Sequence, residues 1–85
     1  MDAQKLLEIL LELEDNEIVS FKFQLKQPDN LGGLKKLSVA ALGNARVREQ
    51  LVSLIIGKYT NDAQEIVMNA LRTMGKEDLA NDLDI

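Results

Sequence analysis

The chain has no cysteine, no histidine and no tryptophan, and it carries one proline, one tyrosine and two phenylalanines in 85 residues. Each absence removes a class of chemistry. Without cysteine there is no disulfide framework, no thiolate zinc site and no thiol nucleophile, which fits a reducing compartment. Without histidine the commonest general base and the commonest transition-metal ligand are both missing. No apolar run approaches the roughly 20 residues that cross a bilayer. The opening "MDAQKLLEILLELED" has neither the positive n-region nor the small-residue cleavage site of a signal peptide. Isolated carboxylates on a small charged chain are no sign of a catalytic site. The expectation is a soluble, cytoplasmic protein that is not an enzyme and holds no metal or cofactor.

What is present points to a folded helical domain. Apolar residues make up 46% against a net charge of −4, too apolar for a disordered tail. The length suits one domain, residues 1–85, of modest stability. Charge is strongly partitioned. Residues 1–20 hold six acids and one base, residues 21–58 seven bases and two acids, and residues 59–85 six acids and two bases. A small net charge thus conceals two oppositely charged faces.

Helical spacing runs through the whole chain. Leu6, Leu10 and Leu13 follow i, i+4, i+7, and the apolar positions around them cover an arc of about 200°, wider than the roughly 100° a surface helix needs. Ile9 and Leu11 form its edges. Asp15 or Asn16 caps a second helix, on which Ile18, Phe21 and Leu25 form one stripe and Val19 and Phe23 another. Rings two residues apart share a strand face but point to nearly opposite sides of a helix, so each phenylalanine is expected to serve a different contact, with this helix between two neighbours. Pro28 stops it, and "PDNLGGLKKL" reads as a long loop with a Gly32–Gly33 turn. Ser38 caps a short helical turn ending at Gly43. A regular helix follows from about Asn44 to Ile56, with Val47, Leu51, Leu54 and Ile55 inward and Gly57 at its end. Thr60 or Asn61 caps the next, where Ala63, Ile66, Val67, Ala70, Leu71 and Met74 keep helical spacing. Gly75 closes that helix, and Glu77–Asp78 open a last one with Leu79, Ala80 and Leu83 inward. The result is an all-α bundle of five helices and one short turn.

Taken in order, the leucine-rich first helix, "EIVSFKFQL", the long loop, "LVSLIIGKY" and "AQEIVMNALRTMGKEDLANDL" resemble the pyrin domain of the death-fold superfamily, over roughly Lys5 to Leu83. Phe21–Lys22, Tyr59 and the set Leu71, Met74, Gly75, Asp78, Leu79, Ala80 and Leu83 carry the likeness. The resemblance implies a six-helix Greek-key bundle with a short third helix after the long loop. It implies homotypic binding to other pyrin domains, of this chain or of an adaptor, often in filaments that recruit inflammatory caspases in inflammasome, innate immune and cell-death signalling. Such domains usually stand at the N-terminus of a larger protein, and Met1 fits that position. Neither nucleic acid nor membrane is expected as a partner.

In this reading the basic docking face is Lys22, Lys26, Lys35, Lys36, Arg46 and Arg48, and the acidic face is Glu8, Glu12, Glu14, Asp62 and Glu65. The plain alternative for these charges is a solvated surface, the commonest fate of lysine. Three departures from the family pattern alter the usual charge pairing. Val19 and Ser20 stand where bases are frequent, Arg46 and Arg48 where acids are frequent, and Leu11 where an acid is frequent. A nucleic-acid surface is disfavoured by the acidic balance and the scarcity of aromatics. "DLANDLDI" lacks the glycine and terminal glutamate of a calcium loop, so Asp78, Asp82 and Asp84 read as a solvated face. Two alternatives remain. Another death-fold subtype, chiefly a caspase recruitment domain, would show a long regular third helix. A small acidic carrier protein would need a serine following aspartate at a helix start, and Ser20, Ser38 and Ser53 have no adjacent acid.

Overall fold

At the first helix the Asp2 side chain accepts the backbone N–H of Gln4 at 3.0 Å, satisfying one of the donors that a helix start leaves open. Helix α1 (Ala3–Leu11) follows, with Leu6, Ile9 and Leu10 buried. The computed structural model of the chain describes residues 2–31, 33–35 and 37–83. Within them lie α2 (Asp15–Gln24), α3 (Pro28–Leu31), α4 (Val39–Asn44), α5 (Arg48–Tyr59), a 3-10 turn (Thr60–Asp62), α6 (Ala63–Thr73) and α7 (Glu77–Leu83). No strand occurs among the described residues.

Helix α6 is the centre of the bundle: it packs on α2, α3, α5 and α7, while α1 lies against α5 and α7. An up-and-down bundle pairs helices that are neighbours in sequence. Pairing α1 with α5 and α2 with α6 is the crossed, Greek-key order of the six-helix death fold, with α3 as one additional turn. Phe21, Leu6, Leu10, Leu25, Leu51, Ile55 and Leu71 are fully buried where these helices meet.

Several sequence expectations need correction. The two phenylalanines do point apart, but only Phe21 enters the core; Phe23 is 54% exposed, and Val19 on the same stripe is exposed too. Helix α2 is packed mainly against α6, and its second stripe is left largely exposed. Helix α2 ends before Pro28, which instead opens α3, a position where its missing N–H costs nothing. Glu14, not Asp15 or Asn16, is the N-cap of α2. Helix α5 begins at Arg48 rather than near Asn44, because Gln50 Oε1 accepts the N–H groups of Arg46 at 2.8 Å and Val47 at 3.4 Å. Val47 therefore lies outside the helix and is exposed, not inward. Helix α5 also runs through Gly57 to Tyr59, whose buried ring draws the last turn inward. Its end comes at Thr60, in a positive-φ conformation (φ 43), and Asp62 rather than Thr60 or Asn61 starts α6.

Other expectations hold. Ser38 caps α4 by accepting the N–H of Ala41 at 3.0 Å. Gly75 closes α6 with φ +83; Lys76 N–H donates to the Leu71 carbonyl at 2.8 Å and Gly75 N–H to that of Arg72 at 3.0 Å, the paired bonds of a Schellman cap. The long loop is held by two anchors that periodicity does not reveal. The buried Asn30 donates to the carbonyl and side-chain oxygens of Gln24, both at 3.1 Å, and accepts from Thr73 at 3.1 Å. The Tyr59 hydroxyl donates to the Lys35 carbonyl at 2.9 Å. Gly32, Lys36 and Asp84 lie outside the described residues.

The unequal fates of the two rings give a direct test. Phe21→Ala should cost about 3–5 kcal/mol of stability, as for a fully buried ring, whereas Phe23→Ala should change it by less than about 1 kcal/mol. Urea unfolding of the two variants measures both; equal losses would contradict this packing.

Candidate protein-interaction surface

The basic residues are placed by the carbonyls they reach. Arg48, the first residue of α5, donates from Nε to the Leu10 carbonyl at 2.7 Å and from Nη2 to that of Leu13 at 2.5 Å. These groups lie at the C-terminal end of α1, where the dipole is negative; the Leu10 carbonyl also accepts the N–H of Leu13 at 3.1 Å. Arg48 also stands 3.5 Å from Asp15. Lys22, on α2, donates to the Ala45 carbonyl at 2.6 Å, just past the end of α4. Two cations thus fasten α1, α2, α4 and α5 around one groove.

That groove, about 300 Å³ in volume, is lined by Asp15, Val19, Lys22, Arg46, Val47 and Arg48 among others. It unites three of the expected basic residues with one acid. Arg46 is exposed, and its side chain forms no ion pair among the described residues. Lys26 lies just past the end of α2, with Nζ 5.9 Å from the centre of the Phe23 ring, a weak cation–π contact at this exposure. Lys35 is not with them. Its carbonyl is bound by Tyr59 at the opposite end of α5, about 16 Å from Arg48 at 1.5 Å per residue. Lys36 lies outside the described residues.

The acids fall into two groups. Glu12 lines a cleft with Lys76, Glu77, Asp78 and Leu79 where α6 turns into α7, and Glu8 is exposed one turn earlier on α1. Asp62 and Glu65 line a separate cleft with Asn30, Leu31, Leu34 and Asn69, roughly 20 Å along α6 by the same rise per residue. Glu77 and Asp78 join Glu12 because α7 folds back beside α1, a proximity that spacing along the chain does not contain.

Glu14 and Glu17 illustrate a structural use of acid. Glu17 accepts the N–H of Glu14 at 2.9 Å and pairs with Lys76. The Glu14 amide and then the Lys76 ammonium hold the Glu17 carboxyl below its usual range, and the Glu17 carboxylate in turn pushes the Lys76 amine up. Burial raises the Tyr59 phenol. No group of three or more candidate metal ligands occurs among the described residues, and no described helix is long and apolar enough to cross a membrane.

The helix order is that of a death-fold bundle, and its surface carries a groove rich in basic residues and two clefts rich in acidic ones. The family model for the PAAD/DAPIN/Pyrin domain matches residues 5–81, and the chain belongs to that family. Pyrin domains are homotypic interaction modules of death-domain-type signalling rather than enzymes. No curated protein and no solved structure matches the chain. The short α4, six residues long, stands where a caspase recruitment domain would place a long third helix.

Two measurements test the fastening of this surface. Arg48→Met should lower stability by about 2–3 kcal/mol, because two carbonyls lose charged donors. Arg48→Lys should recover less than half, since an ammonium cannot reproduce the guanidinium fork; full recovery in urea unfolding would count against the two-carbonyl clamp. The Glu17–Lys76 pair fixes a pH window. A lowered carboxylate contributes stability above its ordinary 4.5 and loses it as pH falls through the folded value. A raised amine contributes below its ordinary 10.5 and loses that only above it. The stability gap between wild type and Glu17→Gln should therefore stay flat from about pH 5 to about pH 10 and close on further acidification. A gap that does not narrow as the pH falls below the ordinary carboxylate range would rule out the Glu17 carboxylate as its source.

Proposed function

We propose that the chain acts as a pyrin module of inflammasome, innate immune or cell-death signalling in the cytoplasm, with residues 1–85 working as one domain. It binds other pyrin domains, those of further copies or of an adaptor, and assembles head to tail. The observation that carries this reading is the groove that gathers Lys22, Arg46 and Arg48, with Lys26 alongside, while Glu12, Glu77 and Asp78 line a different cleft. Complementary patches at different places on one molecule make a heterologous contact, which propagates into open filaments unless it closes. Opposite charge steers such encounters and weakens with salt. Within the expected set, Lys26 and Arg46 are the contact cations, while Arg48 and Lys22 hold the groove in shape. Glu8 and Glu12 are the first acids to face them; Glu14, Asp62, Glu65 and Lys35 stand further from this pair of surfaces.

Sedimentation velocity across salt concentrations tests the proposal. Wild type should sediment as large species at low salt that shrink as salt rises. The double variant Lys26→Glu/Arg46→Glu should remain a single chain while its helical circular dichroism is unchanged. Assembly by the double variant at wild-type level would remove the basic face from the contact, and a wild type that stays a single chain at every salt would remove self-association.

A further inference from the structure

Five residues of the chain carry a serine or threonine hydroxyl, and their settings differ. Ser20 and Ser53 lie inside α2 and α5, Thr60 opens the 3-10 turn, and Thr73 ends α6. Ser38 stands just before α4, with an extended backbone (φ −69, ψ 150) and an exposed side chain. Its Oγ is held in place by accepting the N–H of Ala41. The sequence around it reads Lys35-Lys36-Leu37-Ser38-Val39, with bases three and two positions before the hydroxyl. None of the other four hydroxyls has a base at both positions. Tyr59 binds the Lys35 carbonyl, so the backbone at this point is fixed while Lys35 itself is exposed, as is Val39.

We propose that Ser38 is a phosphorylation site for a serine kinase that selects basic substrates, and that Lys58 receives the phosphate. Such a kinase recognises a short extended segment by its charge pattern, with acidic groups in its cleft facing bases that precede the acceptor. A hydroxyl inside a helix must be unwound before it can enter that cleft, whereas Ser38 is already extended. Leu37 is buried, so one apolar side chain lifts as the segment docks. In the reaction Ser38 Oγ bonds to the γ-phosphorus of a nucleoside triphosphate, and the bond from that phosphorus to the bridging oxygen breaks. The hydroxyl proton passes to a carboxylate of the kinase, and nucleoside diphosphate leaves. The product carries a charge of about −1.5 to −2 at neutral pH. Ser38 lines an open hollow between α4 and α5 together with Val39, Leu54, Gly57 and Lys58, among others. Lys58 is exposed, and it is the charged residue among those lining the hollow. Gly57 beside it leaves space, since nothing lies within 4 Å of where its side chain would begin. A phosphate on Ser38 therefore has both room and a cation. The inference does not depend on how copies of the chain associate.

The test treats the folded chain with MgATP and the catalytic subunit of cyclic-AMP-dependent protein kinase as a basic-directed probe, and mass spectrometry locates the phosphate. Label is expected on Ser38, to be lost in Ser38→Ala. Incorporation should be about tenfold slower in Lys35→Glu, where an acid meets the acidic cleft of the kinase. No incorporation, incorporation at another hydroxyl in place of Ser38, or an undiminished rate in Lys35→Glu would overturn the site. Phosphorus NMR of the modified chain then tests the receiving group. The second ionisation of a phosphoserine lies near pH 6, and a nearby ammonium favours the dianion. The titration midpoint should therefore lie about 0.2–0.7 of a pH unit lower in the wild type than in Lys58→Gln, the equivalent of an exposed ion pair. Equal midpoints would overturn the part assigned to Lys58.

Discussion

The guanidinium of Arg48 sits on the open end of α1, bound to the Leu10 and Leu13 carbonyls, and much of the structure depends on that placement. A cation as the first residue of α5 is unfavourable with respect to its own helix dipole, by about 0.3–1 kcal/mol. The C-terminus of α1, approaching from more than thirty residues away in sequence, turns that cost into a charge-assisted pair of bonds. The contact fixes α1 against α5, sets the turn into α2, and holds Asp15 beside the groove. Lys22 makes the equivalent connection from α2 to the end of α4. Between them the two cations shape the groove in which Val19 and Val47 are left uncovered.

A residue can therefore belong to a charged face without being available to a partner. Arg48 and Lys22 have their donors engaged within the chain, whereas Lys26 and Arg46 present theirs outward. The acids divide likewise. Glu17 is committed to the Glu14 amide and Lys76, with Lys76 delivered by the Gly75 cap of α6, while Glu8 and Glu12 remain in water. Charge is used twice in this domain, once to set helix ends and once to colour the surface, and only the second use can respond to another molecule. The same division applies to apolar surface: Phe21 stabilises the bundle, and Phe23 contributes little to it.

The helices themselves were largely legible. The spacing of Ala63, Ile66, Val67, Ala70 and Leu71 and the caps at Ser38 and Gly75 all appear in the structure, because they depend on residues within one or two turns. Boundaries of α5 were not legible. Arg46 and Val47 are held outside it by Gln50, and Tyr59 extends it past Gly57 for the sake of a distant loop carbonyl. Asn30 escaped notice for the same reason, since nothing local marks an asparagine as the joint between α2 and α6.

By itself the sequence determined that the chain is all-helical, where its charges fall in blocks, which chemistries it lacks, and the pattern by which the pyrin family is known. These follow from composition and from periodicities of three to four residues, which local geometry enforces. Tertiary packing alone decided which of two amphipathic stripes on α2 is covered, which cations bind carbonyls, and that Glu12 meets Glu77 and Asp78. Those outcomes depend on helices brought together across the bundle, and the order in which helices pack is not written in the spacing of any one of them.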